Sequence, residues 1–234
     1  MSIRVGVVLS GCGVFDGAEI HEATLTLLHL AQAGAKVTCL APNIPQAHVM
    51  DHQAGHVAGG ESRNVMTEAA RIARGPVVDI ATVNAADFDA VIFPGGFGAA
   101  KNLSNLAFAS NPEEMTVEAG TQKLVEEMFA AGKPLGFICI TPASVAAIAL
   151  KGKRLKLTIG SDDDPTADAI KALGHTHVAA KVDEIVVDAG NNIVSTPAYM
   201  LAQSITEADS GIAKLVTETL ARATKERTAK AVNA

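Results

Sequence analysis

The residues best placed to do chemistry lie in Pro134-Leu135-Gly136-Phe137-Ile138-Cys139-Ile140-Thr141-Pro142-Ala143, where an apolar strand run ends on a cysteine and a helix-compatible segment begins. A thiol at a helix N-terminus meets unpaired backbone N–H groups and the positive end of the dipole, which favour the thiolate. Pro142 suits a first helical turn, where its missing N–H has no intrahelical partner. A tight strand-to-helix turn also directs the amide of Ile140 at whatever the sulfur attacks, as an oxyanion donor. The pattern points to nucleophilic catalysis by Cys139.

Two further glycine-marked loops follow apolar strand runs: Ser10 to Gly17, and Pro94 to Lys101 with its Gly95-Gly96 turn. In an open parallel sheet such loops meet outside the carboxyl ends of the strands, at the switch point in strand order. Glu19, at the start of the first helix, is then expected to deprotonate or hydrogen-bond a group near the sulfur. The amides of Gly96 and Ile140 are expected to hold a developing oxyanion. Cys12 sits in the first glycine loop and is a secondary candidate, whereas Cys39 lies inside a strand run and reads as a small core hydrophobe. His48, Asp51, His52 and His56 share no helical spacing and read as solvated surface, so no metal site is expected. Gly11-x-Gly13 follows the first strand, but Asp16 stands at the third glycine position and no ribose-binding acid ends the second strand, so no nicotinamide cofactor is expected.

The elements that must carry these residues follow from periodicity. Ile3 to Leu9 and Ala35 to Ala41 are strand-like runs separated by a helical pattern over Ala18 to Ala33, a βαβ unit that implies a parallel sheet. Pro42 to Gly60 reads as a surface excursion or short hairpin, and Ser62 to Arg74 as a second helix. Phe88 to Phe93 and Leu135 to Ile138 are the third and fourth strands. Helices are expected over Ala100 to Ala107, Thr116 to Ala131 and Pro142 to Ala149. Beyond them come strands at Leu155 to Ile159, His177 to Val182, Glu184 to Val187 and Ile193 to Thr196, with a short helix over Thr166 to Leu173. A long helix is expected over Ala198 to Ala223. One α/β domain over residues 1–224 with a polar, frayed tail over 225–234 is the expected organisation.

Composition narrows the function. With 48% hydrophobic and 19% charged residues in 234, the chain reads as a globular protein with a substantial core. No apolar run approaches the ~20 residues of a membrane helix. A net charge of −6 without a basic, aromatic-laced stretch argues against nucleic acid or anionic lipid as partner. Three cysteines without C-x-x-C spacing indicate neither a disulfide framework nor zinc. The chain opens directly on a strand pattern, so the expected setting is cytoplasmic.

Several segments carry a resemblance: Val8-Leu9-Ser10-Gly11-Cys12-Gly13-Val14, Gly17-Ala18-Glu19-Ile20-His21-Glu22, Pro94 to Leu103, Gly136 to Ile140, Leu157-Thr158-Ile159-Gly160 and Thr196 to Ala202. Taken together, the sequence resembles the PfpI-like superfamily of class I glutamine amidotransferase-like proteins, which includes the Parkinson-associated protein deglycase. The resemblance implies a flavodoxin-like, doubly wound, mostly parallel sheet with helices on both faces, and a homodimer. It gives Cys139 the nucleophile's position, Glu19 that of the carboxylate contacting its thiol, and Gly95 and Gly96 the oxyanion loop. A histidine common in the superfamily after the nucleophile is replaced here by Leu157-Thr158-Ile159-Gly160-Ser161, with His177 as a weak substitute. A glutamine amidotransferase's late His and Glu pair is also missing, from Ser195-Thr196-Pro197-Ala198-Tyr199. The implied activity is cofactor-independent, glyoxalase-like conversion of glyoxal or methylglyoxal to a hydroxy acid. The alternative is a redox-responsive or regulatory binding protein with an oxidisable Cys139.

Overall fold

The computed structural model describes residues 2–232. Alternation of buried side chains on each central strand explains why the sheet must be covered on both faces. Val5, Val7 and Leu9 of the first strand run point into one core and Val8 into the other. The chain lays down β1 (Arg4–Val8), α1 (Ile20–Gln32), β2 (Lys36–Ala41), a small hairpin β3 (Met50–Asp51) and β4 (His56–Val57), α2 (Val65–Ala73) and β5 (Val78–Asp79). After β6 (Ala90–Phe93) come α3 (Phe97–Lys101), α4 (Ala119–Ala130) and β7 (Leu135–Ile138), which leads into a π-turn over Pro142–Ala146 and α5 (Ala147–Ala149). The remainder is β8 (Lys156–Leu157), α6 (Pro165–Ala172), β9 (Thr176–His177), β10 (Val186–Asp188), β11 (Ile193–Thr196) and α7 (Ile205–Val232).

Seven strands form one sheet in the order β10-β11-β7-β6-β1-β2-β5, parallel except where β10 runs against β11. The expected flavodoxin-like single domain is therefore present. One face packs Val7, Ile92, Ile138 and Val194 against Leu30 of α1 and Ile212 and Leu215 of α7. The other packs Val91, Phe93, Leu135 and Phe137 against Leu124 and Met128 of α4 and the helix after Cys139. Because β1, β6 and β7 are adjacent, the three glycine- or cysteine-marked loops leave the same edge side by side.

Four differences from the sequence reading matter. β5 falls in a stretch with no expected element, since two paired residues leave no periodicity to read. α3 starts earlier than the expected helix, at Phe97, and stops at Lys101. The C-terminal helix does not begin at Ala198: a short 3₁₀ turn over Ala198–Met200, with Ala198 at φ 42°, is followed by a break before Ile205. At its far end α7 runs on to Val232 through the stretch expected to fray. Just before that stretch Arg222 donates to Asn192 Oδ1, and within it Arg227 donates to the Ser2 carbonyl at 3.0 Å. Residues 233 and 234 of the expected tail lie outside the described residues.

Phe93 and Phe137 stack on adjacent strands with centroids 5.0 Å apart, fully buried directly beneath the site's loops. Phe137→Ala should cost ~3–5 kcal/mol in urea unfolding; a loss below ~1 kcal/mol would show that this layer does not support the site.

Candidate active site

Cys139 occupies the step between β7 and its helix with φ 63°, a conformation rare for a residue with a side chain. The surroundings over-determine it. Its N–H donates to the Thr196 carbonyl at 2.9 Å, and the Thr141 hydroxyl accepts from Ile138 N–H at 2.8 Å while lying 2.9 Å from the Phe93 carbonyl. Strain at a strand-to-helix junction turns the sulfur out of the sheet and towards the loop after β6. That loop must be glycine: a Cβ on Gly95 would sit 2.5 Å from the Cys139 Cβ, and Gly96 has φ 95°. The N–H groups of Gly96 and Ile140 both point at the sulfur.

The carboxyl group against the thiol is that of Glu22, not Glu19 as the sequence implied. Helix register explains the correction. α1 begins at Ile20, so Glu19 is its N-cap and folds back to accept the Glu22 N–H at 2.7 Å. Glu22, one turn further, is fully buried and faces Cys139. Its Oε2 accepts the Gly95 N–H at 2.9 Å and its Oε1 the Tyr199 N–H at 3.1 Å. Gly95 is thereby corrected as well: its amide holds the carboxyl group, leaving Gly96 and Ile140 as the donors for an oxyanion. The Tyr199 amide is available because the 3₁₀ turn begins at Ala198, a break that Pro197 alone did not reveal.

Enclosing two acids together controls their protons. Burial, and then the nearby charge of Glu19, push the Glu22 carboxyl up to about 8, against the pull of the Tyr199, Cys139 and Gly95 donors. Burial and the Glu22 charge likewise push the Cys139 thiol up, against the Gly96 and Ile140 amides. The acidification expected from the helix terminus is reversed by desolvation, because Cys139 is buried and beside another acid. Near neutrality Glu22 is a neutral carboxylic acid, able to donate to the sulfur.

A cavity of about 220 Å³ opens onto the sulfur, lined by Val14, Glu19, Gly96, Phe97, Cys139, Ile140, Tyr199 and Met200. Glu19 therefore belongs to the wall. Tyr199, which the sequence reading did not select, also presents its hydroxyl to His21 Nδ1 at 2.7 Å. Cys12 does not line the cavity; burial and Glu68 of α2 push its thiol up. His177 is not at the site either. Its side chain is fully buried beside the separate two-stranded sheet of β8 and β9, with Nδ1 2.7 Å from Asp162 and Nε2 accepting the Ile159 N–H, a structural role. Among the described residues no histidine lines the cavity. Larger grooves beside Ser2 and beside Gly160 are lined by neither cysteine nor histidine.

Glu22 also leaves a mark on stability. Its folded value of about 8 lies above the ordinary 4.5, so its contribution is fully present below about pH 4.5 and is lost as pH rises through about 8. Urea midpoints measured from about pH 5 to about pH 9 should fall in the wild type, and Glu22→Gln should flatten that slope. An unchanged slope in the variant would mean that Glu22 is ionised at neutrality.

Comparison with known proteins gives the chain's family and fold. The model of the DJ-1/PfpI family matches residues 12–203. The chain is 47% identical to the human mitochondrial glutamine amidotransferase-like class 1 domain-containing protein 3, over 93% of this chain and 82% of the relative. It is 33% identical to the zebrafish mitochondrial ES1 protein, over 84% and 77%. Among solved structures, an isoprenoid biosynthesis protein with an amidotransferase-like domain from Ehrlichia chaffeensis superposes with a TM-score of 0.85 at 36% identity, covering 94% of this chain and 99% of that one. Drosophila DJ-1beta shares the fold, with a TM-score of 0.57 at 19% identity over 98% and 97% of the two chains. These curated relatives are mitochondrial proteins, which overturns the cytoplasmic setting expected from the sequence.

Proposed function

The chain belongs to the DJ-1/PfpI family, and on that footing we propose that it is a cofactor-independent, glyoxalase-like enzyme that converts glyoxal or methylglyoxal to a hydroxy acid through Cys139. The finer likeness proposed is to ElbB, the bacterial sigma cross-reacting or lycopene-enhancing protein. The observation that carries the reading is the small cavity over a sulfur held between two amides and a proton-bearing carboxyl group. Its ~220 Å³ suits a substrate of a few heavy atoms, below the usual range for larger ligands.

The sulfur adds to an aldehyde carbon as the carbonyl π bond breaks. The developing oxyanion takes the Gly96 and Ile140 amides, and Glu22 relays the sulfhydryl proton to it, giving a hemithioacetal. The C–H proton of that carbon moves to the neighbouring carbon through an enediol, leaving a thioester. Water then cleaves the thioester to the hydroxy acid and restores the thiol, so the sum is dicarbonyl plus water to hydroxy acid. A homodimer is part of the proposal, supported by the exposed apolar side chains of Phe15, Ile20 and Phe97.

The lack of a histidine on the cavity favours a second reading, in which Cys139 is oxidised to sulfenic or sulfinic acid and the change is read by a partner. NMR of purified protein with glyoxal separates the two. Steady formation of hydroxy acid that falls at least ~10³-fold in Cys139→Ser supports the enzyme. Retained turnover in that variant removes the mechanism, and stoichiometric peroxide oxidation without turnover supports the sensor.

A further inference from the structure

An enclosed carboxyl group can move a proton between two carbons, but the site also contains a built connection to solvent. Tyr199 forms part of the cavity wall together with Cys139 and Glu19, while its hydroxyl lies 2.7 Å from Nδ1 of His21. His21 is exposed on the first turn of α1, next to the buried Glu22. The pair is held from both ends. The Tyr199 amide is fixed on Glu22 Oε1, and the two rings tilt at 44° with centroids 5.8 Å apart. The positive-φ turn at Ala198 brings the tyrosine here, out of the long helix that its sequence pattern suggested.

We propose that Tyr199 is a catalytic acid–base residue of this site and that His21 connects it to water, the two together carrying the substrate's carbon proton to and from solvent. The inference rests on the glyoxalase-like reading. As the hemithioacetal loses its C–H proton, the phenol oxygen accepts it while passing its own proton to His21 Nδ1; the imidazolium then releases a proton from Nε2 to water. The substrate-derived proton now on the phenol exchanges with water through His21, and the relay run in reverse then delivers a solvent proton to the neighbouring carbon, so the pair ends unchanged. The transfers must be concerted. Burial and then the charge of Glu19 push the phenol up, so a free phenolate is disfavoured and one proton has to leave as the other arrives. The pair thus fills the place of the histidine missing after the nucleophile, from a different part of the chain.

Turnover of glyoxal in D₂O by the purified protein tests this. Exchange through the pair puts about one solvent deuterium on the hydroxyl-bearing carbon of the glycolate formed, whereas a closed shuttle in which the Glu22 carboxylate takes up and returns one and the same proton keeps the original hydrogen. Tyr199→Phe, which keeps the amide on Glu22, should slow kcat roughly 10²-fold and yield product that retains its hydrogen. His21→Gln should lower the deuterium content with little change in KM. Wild-type levels of deuterium in both variants would overturn the proposal, as would hydrogen retention by the wild type, which leaves the glyoxalase-like reading standing. Folded wild type with no dicarbonyl turnover would overturn both.

Discussion

Two acids buried against one another, with room for only one charge, are the constraint around which the site is built. Glu22 and Cys139 sit on different elements, a helix turn after β1 and the step after β7, and neither has water to stabilise its ionised form. Four amides do that work instead. Gly95 and Tyr199 hold the carboxyl group, and Gly96 and Ile140 face the sulfur. An isolated carboxylate and thiolate at this distance would repel one another strongly in a dry site, so a proton stays between them and becomes available to an incoming carbonyl oxygen.

Placing four amides within reach of two side chains requires unusual backbone. Gly96, Cys139 and Ala198 all have positive φ, and they follow β6, β7 and β11, strands on the same side of β1. The turns at Cys139 and Ala198 aim the next N–H, of Ile140 and of Tyr199, at the site, and the turn after β6 presents the amides of Gly95 and Gly96 themselves. The dry sheet beneath, with Phe93 stacked on Phe137, supplies the packing that holds these turns in place. Apolar burial on both faces of the sheet thus supports local strain at its edge.

Much of this arrangement was legible in the sequence. The nucleophile stood out because a cysteine closing an apolar run and followed by a proline two residues beyond Ile140 is a local pattern, and the glycine loops marked the ligand edge. The choice of carboxylate failed because Glu19 and Glu22 differ only by helix register. The N-cap role of Glu19 depends on where α1 starts, which periodicity fixes to within a turn at best. Glu-x-x-Glu ahead of an apolar helix was the available signal, a capping acid followed by one that faces inward. Tyr199 was hidden for a different reason: the break at Ala198 is held by tertiary contacts, among them the Tyr199 amide on Glu22, and the local sequence reads as helix. The acidity of Cys139 was misjudged because the helix terminus is a local feature, whereas desolvation depends on everything packed around the sulfur.

The protonation of Glu22 is the most direct measure of this account. An infrared difference spectrum of wild type against Glu22→Gln, followed with pH, should show the protonated carboxyl band at neutrality and its loss as pH passes about 8. A carboxylate band already complete at pH 6 would mean that the two acids do not share the site as described.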